Sequence, residues 1–121
     1  MRNDYKVKIQ EIIDGKIKPL SKTDVRATWD CVYVKKFPTG EIYIGKTSDK
    51  LNVRFGKAKW QALNNSSLVN PHENALYNYP NYCTDYEVYV VYKGLDCWEE
   101  EQNFIRENFY RKELLNVAIG I

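Results

Sequence analysis

The stretch from Cys31 to Gly45 constrains the fold more than any other part of the chain, because it predicts a β-hairpin. Residues 31–37 (CVYVKKF) are rich in valine and aromatic side chains, as strands are. A short loop of Pro38, Thr39 and Gly40 follows, in which Gly40 supplies the residue that needs a positive φ. The run EIYIGK after the loop then predicts a second, antiparallel strand.

The hairpin also predicts which side chains share a face of the sheet. If Phe37 and Glu41 close a three-residue loop, the odd positions of both strands point the same way. Tyr33 and Tyr43 then lie on one face, with Gly45 beside them. The opposite, buried face consists of Val32, Val34, Ile42 and Ile44.

A helix is predicted from about residue 49 to about residue 63. It follows Thr47, Ser48 and Asp49, which are all good N-caps. Gly56 is a poor helix residue, so it predicts the close approach of another backbone. The buried stripe of this helix consists of Leu51, Phe55, Ala58 and Ala62, which recur at helical spacing.

Three further elements are predicted towards the C-terminus. A short helix spans residues 71–79, and a strand spans residues 85–92. A last helix begins after Asp96, with Glu99 in a capping-box arrangement, and runs to about residue 114. The strand is expected to place Tyr86, Val88, Val90 and Tyr92 on one face.

These elements predict an α+β fold in which a small three-stranded antiparallel sheet is flanked by helices. A chain of 121 residues suits one domain with one core. We place this domain at residues 31–121 and an N-terminal extension at residues 1–30. In the extension, helix and strand patterns compete over residues 4–13 before Gly15 and Pro19 interrupt them.

Composition narrows the class of protein. With 28% charged residues and a mean hydropathy of −0.58, we expect a soluble globular chain. No apolar run reaches the roughly 18 residues of a membrane span, and the N-terminus lacks the apolar core of a secretory signal. The three cysteines form no CxxC pair, which favours reduced thiols in a cytoplasm.

Charge is unevenly distributed, although the net charge is only +2. A basic middle region can bind phosphates, and an acidic C-terminal part can supply a metal ligand. Two solvated surfaces of opposite sign would give the same pattern. The basic residues of the middle region are Lys35, Lys36, Lys46, Lys50, Arg54, Lys57 and Lys59.

Glu101 is unusual because a helical wheel places it on the apolar side of the last helix. With Trp98 at zero, Ile105 and Phe109 lie within about 20°, and Glu101 lies at about 300°, inside the arc that Phe104 completes. A carboxylate there is costly unless it is paired or bound to a cation. Glu101 is therefore a candidate metal ligand; the alternative is a structural ion pair with Arg54 or a lysine.

Taken together, these residues resemble the GIY-YIG nuclease family. The resemblance begins with Cys31-Val32-Tyr33 and Tyr43-Ile44-Gly45, ten residues from tyrosine to tyrosine. It covers about residues 31–118, and its layout is similar to that of single-domain phage-type endonuclease II enzymes. The further matching residues are Lys46, Thr47, Arg54, Glu101, Phe104, Ile105, Asn116, Val117 and Ala118.

The resemblance implies a metal-dependent DNA endonuclease and assigns roles to six residues. Glu101 would hold Mg²⁺ (or Mn²⁺), and Arg54 would bind a phosphate oxygen through its planar fork. Tyr33 would activate or position the water, and work as a base would need a nearby cation to lower its pKa. Lys46 is a candidate for that cation, or for a direct role beside the water. Tyr43 would hydrogen-bond the phosphate or the water, and Asn116 would steady the site.

Two positions depart from the family pattern. Cys31 replaces the first glycine of the signature. Ala58 stands four residues after Arg54, where many members have histidine or tyrosine, and His72 is expected to lie on the surface. A catalytically impaired module that binds DNA or protein therefore remains an alternative, as does a host-takeover or mobile-element protein whose biological partner is another protein.

The resemblance also implies partners and a setting. DNA is the expected partner, with Lys57 and Lys59 contributing salt-dependent contacts. A module this small reads few base pairs, so we expect low sequence specificity or assembly of a homo-oligomer on DNA. A phage or mobile-element origin would place the protein in the cytoplasm of a bacterial host.

Overall fold

The computed structural model describes residues 5–64 and 70–117. Within these ranges the protein is an α+β fold, as the sequence predicts. None of the described helices is long and apolar enough to cross a membrane. The elements in chain order are β1 (Tyr5–Lys6), α1 (Ile9–Ile13), α2 (Lys22–Ala27), β2 (Trp29–Lys36), β3 (Ile42–Lys50), α3 (Leu51–Asn64), α4 (Pro71–Asn78), β4 (Glu87–Lys93) and α5 (Cys97–Asn108).

The described strands form one antiparallel sheet in the order β1-β4-β2-β3, so the predicted count of three strands is wrong by one. The additional strand is β1, in which Tyr5 pairs with Lys93 of β4. A strand of two residues has no readable periodicity. The boundary predicted at residue 30 stays a prediction, but Ile12 and Val25, which precede it, are buried in the cores on either side of this sheet.

The predicted hairpin is confirmed in loop and register. The backbone N–H of Phe37 donates to the carbonyl of Glu41 at 2.8 Å, and Gly40 has a φ of 90°. Tyr33 lies opposite Gly45, and β3 is the edge strand of the sheet. The hairpin therefore brings Tyr33 and Gly45 together at that edge.

Both faces of the sheet are buried, and they differ in chemistry. The tyrosine face packs under α2, α3 and α4 and carries Tyr33, Lys35, Phe37, Tyr43 and Tyr86. The aliphatic face packs against α1 and α5 and carries Val32, Val34, Ile42, Ile44 and Val91. The predicted division of odd and even hairpin positions is confirmed.

Strand β4 departs from the predicted alternation at one residue. Tyr86, Val88 and Val90 face the tyrosine side as expected, but Tyr92 packs against the aliphatic core. The pairing with β2 shifts between Val32 and Tyr33, which is the signature of a bulge. An irregularity of this kind moves the following side chain to the other face, so the prediction for Tyr92 was wrong.

Helix α3 follows β3 without a loop and therefore begins at Leu51, two residues later than predicted. Leu51, Phe55 and Ala62 are buried, and Ala58 is partly buried, which confirms the predicted stripe. The expectation for Gly56 was wrong: a Cβ added there would meet no atom within 4 Å. Among the described residues, therefore, no backbone from another element comes within 4 Å of that position.

Helix α5 differs from its prediction at both ends. Asp96 adopts a φ of 62° and its side chain makes no cap hydrogen bond, so the predicted capping box is absent. The helix ends at Asn108, because the following chain turns to pair with β3: the N–H of Leu115 donates to the carbonyl of Ile42 at 2.8 Å. Trp98 and Phe109, which the helical wheel places on the apolar side, are exposed instead.

Candidate active site

Tyr33 is positioned by the glycine opposite it in the hairpin. A Cβ on Gly45 would lie 2.5 Å from both Cζ and the hydroxyl oxygen of Tyr33, closer than any real contact. The other side of the ring meets the edge of Phe55 at a centroid distance of 5.1 Å. Only glycine at position 45 therefore lets the tyrosine ring lie across the edge strand.

The electrostatic setting of Tyr33 favours the neutral hydroxyl. Burial raises its pKa, and the neighbouring Tyr43 and Glu101 act in the same direction. The guanidinium of Arg54 opposes this shift without overcoming it. At neutral pH the Tyr33 hydroxyl is therefore a hydrogen-bond donor that also offers lone pairs.

Arg54 extends from α3 towards the same group of side chains. Burial lowers its pKa, but Tyr33, Tyr43 and Glu101 together raise it above the usual value, so the guanidinium stays charged. The sequence offered Lys46 as the cation beside Tyr33, but the charge that lowers the pKa of Tyr33 is that of Arg54. A planar fork beside two tyrosine hydroxyls can bind a phosphate oxygen.

Glu101 is half-buried on α5 and lines a cavity of about 240 Å³ together with Tyr43, Gln102 and Asn116. Burial raises the pKa of its carboxyl, and Lys46, Gln102 and Arg54 oppose the shift. Among the described residues, no lysine or arginine nitrogen lies within 4.0 Å of this carboxylate. The structural ion pair that the sequence left open is therefore not formed.

Lys46 and Asn116 occupy the same edge of the sheet. Lys46 lies opposite Val32 in the β2–β3 register, and its charge acts on Glu101. The Asn116 amide accepts from the Ile44 N–H at 2.9 Å and donates to the Ile44 carbonyl at 2.8 Å. Both ends of this amide are thus engaged, and Asn116 fastens the C-terminal segment to β3. Ala118 lies outside the described residues.

His72 belongs to this site, although its sequence position did not suggest it. Its imidazole stacks face to face on Tyr43 at a centroid distance of 3.5 Å and an angle of 1°. Burial lowers the pKa of His72 to about 2, and Lys35 and Arg54 contribute to the shift. The prediction of a surface histidine was wrong: His72 is a neutral, largely buried ring against one of the two signature tyrosines.

Lys35 lies beneath His72 and is fully buried, so it cannot be one of the phosphate-binding residues of the basic region. Its Nζ is 3.0 Å from Nε2 of His72 and 4.8 Å from the centroid of the Phe55 ring. Burial lowers the pKa of the amine well below its usual value, and Arg54 adds to this. The Lys35–His72 hydrogen bond therefore holds the imidazole in place.

The sequence contained one usable signal for His72. Asn70 caps α4 through hydrogen bonds from the N–H groups of His72 and Glu73, and Pro71 stands at the first helical position. This pattern places His72 in the first turn of a helix. Only the packing of α3 against α4 brings that turn onto Tyr43, and such a contact is not encoded in local spacing.

The two lysines expected to contact DNA lie on different sides of α3. Lys57 is exposed and stands 4.0 Å from the Asp49 carboxylate, one turn beyond Arg54. Lys59 lies on the opposite flank, where its Nζ donates to Oδ1 of Asn81 at 2.7 Å. A single DNA strand that contacted both lysines would therefore have to pass across α3.

Comparison with known proteins does not assign the chain to a family: no family model, curated protein or solved structure matches it. The assignment of the site accordingly depends on its own geometry. Of the six predicted residues, four influence one another's pKa values and therefore lie near one another: Tyr33, Tyr43, Arg54 and Glu101. His72 and Lys35 are two further residues of this group, which the sequence did not predict to belong to it.

The donor set of this site suits a magnesium ion better than a zinc ion. Within residues 5–64 and 70–117, no group of three or more His, Cys, Asp or Glu side chains could hold a metal. Glu101 supplies one carboxylate, and the buried amide oxygen of Gln102, its neighbour, has no hydrogen-bond partner among the described residues. Mg²⁺ binds through one or two oxygens and keeps several waters, so these residues fit it.

Proposed function

We propose that the protein is a metal-dependent endonuclease that hydrolyses DNA phosphodiester bonds with low sequence specificity, of the GIY-YIG type that its sequence resembles. The observation that carries the proposal is that Tyr33, Arg54 and Glu101 act on one another electrostatically beside the edge strand β3. Each is held by a different element, and none is neutralised by an ion pair among the described residues. Clusters of ionisable groups with shifted pKa values, of which Glu101 lines a cavity here, are typical of reaction sites.

Each of these residues has a separate role in the proposed hydrolysis of the phosphodiester. Arg54 binds a nonbridging phosphate oxygen and offsets its charge. Glu101 would hold Mg²⁺ or Mn²⁺, which when bound supplies positive charge to the phosphate and to the departing oxygen. The Tyr33 hydroxyl, neutral in its surroundings, orients the attacking water by hydrogen bonding. Tyr43 donates to the phosphate or the water and is held by the stacked ring of His72.

The position of His72 also bears on Ala58, the residue at which the chain departs from the family pattern. The family pattern expects a ring four residues after Arg54, and here a ring reaches Tyr43 from α4 instead. This supports an active enzyme over the impaired module. In favour of the impaired module, a non-catalytic protein that binds DNA or another protein, stands the raised pKa of Tyr33, because a tyrosine in that state is a poor base.

Incubation of supercoiled plasmid with the protein and Mg²⁺ separates the two candidates. We expect nicked or linear product that EDTA abolishes and that Glu101→Ala abolishes, while Glu107→Ala on the exposed side of α5 leaves it intact. Equal cutting by wild type and Glu101→Ala would assign the activity to a contaminant. DNA retention without cutting would favour the binding module.

The proposed setting follows from this activity. A nuclease of low specificity encoded by a phage or mobile element acts in the cytoplasm of the bacterial host, and its partner is DNA. Two copies assembled on one duplex would extend the contacted sequence. Sedimentation of the protein with and without a DNA duplex, in EDTA, tests for this assembly.

A further inference from the structure

A second cavity, of about 320 Å³, lies on the flank of α3 that faces away from Arg54. Around the helix, Arg54 and Gly56 lie about 100° to either side of Phe55, so the two flanks are separate surfaces. The cavity is enclosed by α2, α3 and the chain after α4. Its walls include Lys22, Arg26, Phe55, Gly56, Lys59 and Tyr82.

Three cations converge on this cavity without acidic partners. Lys22 and Arg26 are four residues apart in α2 and therefore share a face of that helix. Lys59 donates to the neutral side chain of Asn81. None of the three forms an ion pair within the described part of the chain.

The acidic residues near the cavity are engaged elsewhere. Asp24 accepts a hydrogen bond from the N–H of Ser21 in the cap of α2, and Asp85 accepts from the N–H of Asn81 at 2.9 Å. Neither carboxylate lines the cavity. The lining residues therefore carry positive charge only, which favours an anion.

Gly56 keeps this cavity open. A glycine in the middle of a helix costs about 1 kcal/mol relative to alanine. Here no close approach and no positive φ requires it, because a Cβ would meet nothing within 4 Å. Since Gly56 lines the cavity, its missing side chain leaves room for a ligand.

The aromatic wall links the cavity to the candidate active site. Phe55 lies 5.9 Å from the ring of Tyr82 on this side and meets Tyr33 at 5.1 Å on the other. Aromatic side chains beside cations are typical of sites that take a phosphate together with its nucleoside. The volume is also within the range of small-molecule sites, which begins near 300 Å³.

We propose that this cavity binds the phosphate of a nucleotide through Lys22, Arg26 and Lys59, with the nucleoside against Tyr82. The nucleotide is either part of the DNA strand beyond the point of cleavage or a free nucleotide. The DNA form rests on the proposed nuclease function. A helix is about 10–12 Å across, so at 3.4 Å per nucleotide that phosphate lies about three nucleotides from the cut.

Two probes in EDTA distinguish the sources: thymidine 5′-monophosphate followed by calorimetry, and a short fluorescent DNA duplex followed by anisotropy. The variants are the double change Lys22→Gln with Arg26→Gln, and Gly56→Leu, which fills the cavity. Lys16→Gln with Lys112→Gln is the matched control, because both lysines are exposed and lie outside the cavity. Circular dichroism establishes that each variant is folded.

We expect the double variant and Gly56→Leu to weaken binding of at least one probe about tenfold, a change of about 1.4 kcal/mol, while the control binds as wild type does. Weaker duplex binding, with a salt slope smaller by about two units for the double variant, identifies the DNA strand as the source. Weaker mononucleotide binding alone identifies a free nucleotide.

Unchanged binding of both probes in both variants would overturn the proposal, as would an equal loss in the control. This outcome is separate from the nuclease test, because no cutting is measured. If Glu101→Ala cuts like wild type but Gly56→Leu still weakens binding, the result supports nucleotide binding in the cavity and contradicts the nuclease proposal.

Discussion

The two faces of the sheet are built from the same strands, one residue apart, yet they hold opposite kinds of side chain. Val34 and Ile44 on the aliphatic face are fully buried and touch other aliphatic groups. Lys35 on the tyrosine face is equally buried but carries an amine that contacts His72. Burying an aliphatic side chain stabilises the fold by about 1.5–3 kcal/mol, whereas burying an amine opposes folding.

The side chains that stabilise the fold and the side chains that can carry chemistry are therefore concentrated on different faces of the sheet. The buried strand side chains that make up the aliphatic core, such as Val32, Val34 and Ile42, carry no polar or ionisable group. The tyrosine face contains a lysine, a histidine and two tyrosines whose pKa values burial shifts towards the neutral form. Such a cluster reduces stability, and the function proposed for the adjoining site explains its presence.

The largest expected effect contrasts one residue from each face. Ile42→Ala on the aliphatic face should lower the free energy of unfolding by about 2–5 kcal/mol, because it leaves a cavity. Lys35→Met on the tyrosine face should leave it unchanged or raise it, because a buried amine is replaced by an apolar chain of similar length. Urea denaturation measures both. A loss from Lys35→Met as large as that from Ile42→Ala would contradict the comparison.

The next effect is confined to the tyrosine face. Tyr33→Phe should reduce cleavage about 100-fold or more while DNA affinity stays nearly constant, since only the hydroxyl that orients water is removed. Tyr86→Phe is the matched control, because its buried hydroxyl has no hydrogen-bond partner among the described residues. Cleavage rates and anisotropy separate the two functions. An equal loss of DNA binding would mean that Tyr33 only contacts the DNA and does not orient the water.

A smaller effect concerns the contact that lets Tyr33 reach the edge strand. Gly45→Ala should lower the free energy of unfolding by about 1–3 kcal/mol, because the new methyl would overlap the ring. Gly56→Ala, at a glycine without neighbours, should instead stabilise the protein by up to about 1 kcal/mol. Thermal unfolding monitored by circular dichroism tests the opposite signs; equal shifts would mean that the ring moves aside.

The last effect is a pH dependence that comes from His72; it is small just below pH 6.5 and grows as the pH falls further. Its folded pKa is about 2, below the 6.5 of the unfolded chain, so between these values the unfolded state binds the additional proton. Stability from this residue is therefore complete above pH 6.5 and is lost as pH falls, by up to about 1.4 kcal/mol per pH unit. Urea titrations of wild type and His72→Phe should diverge below pH 6.5. Curves that stay parallel would mean that the imidazole of the folded protein is accessible to water and keeps its ordinary pKa.

Much of the tyrosine face was predictable because it depends on local geometry. The loop of the hairpin sets the register, and the register sets which side chains share a face. The placement of Tyr33 opposite Gly45 follows from that alone. Glu101 was found on a helical wheel, although Trp98 and Phe109, used to define its apolar arc, are exposed. A wheel gives angles between residues, not the side that meets the core.

The contacts that could not be predicted join segments far apart in the chain. His72 reaches Lys35 across 37 positions, and Asn116 reaches Ile44 across 72. Tyr5 pairs with Lys93 in a strand too short to have a pattern. Each depends on how helices and strands pack, so no local propensity reports it.

The hairpin, its two faces and the kinds of side chain available to a site could be predicted from the sequence, because they follow from turn chemistry and the alternation of side chains along strands. The tertiary structure alone decided that Lys35 is a buried amine rather than a phosphate contact and that His72 is a stacked ring rather than a surface residue. The physical reason is that burial and pairing are properties of the packed chain. The same side chain is charged and mobile in water but neutral and held when helices close over it.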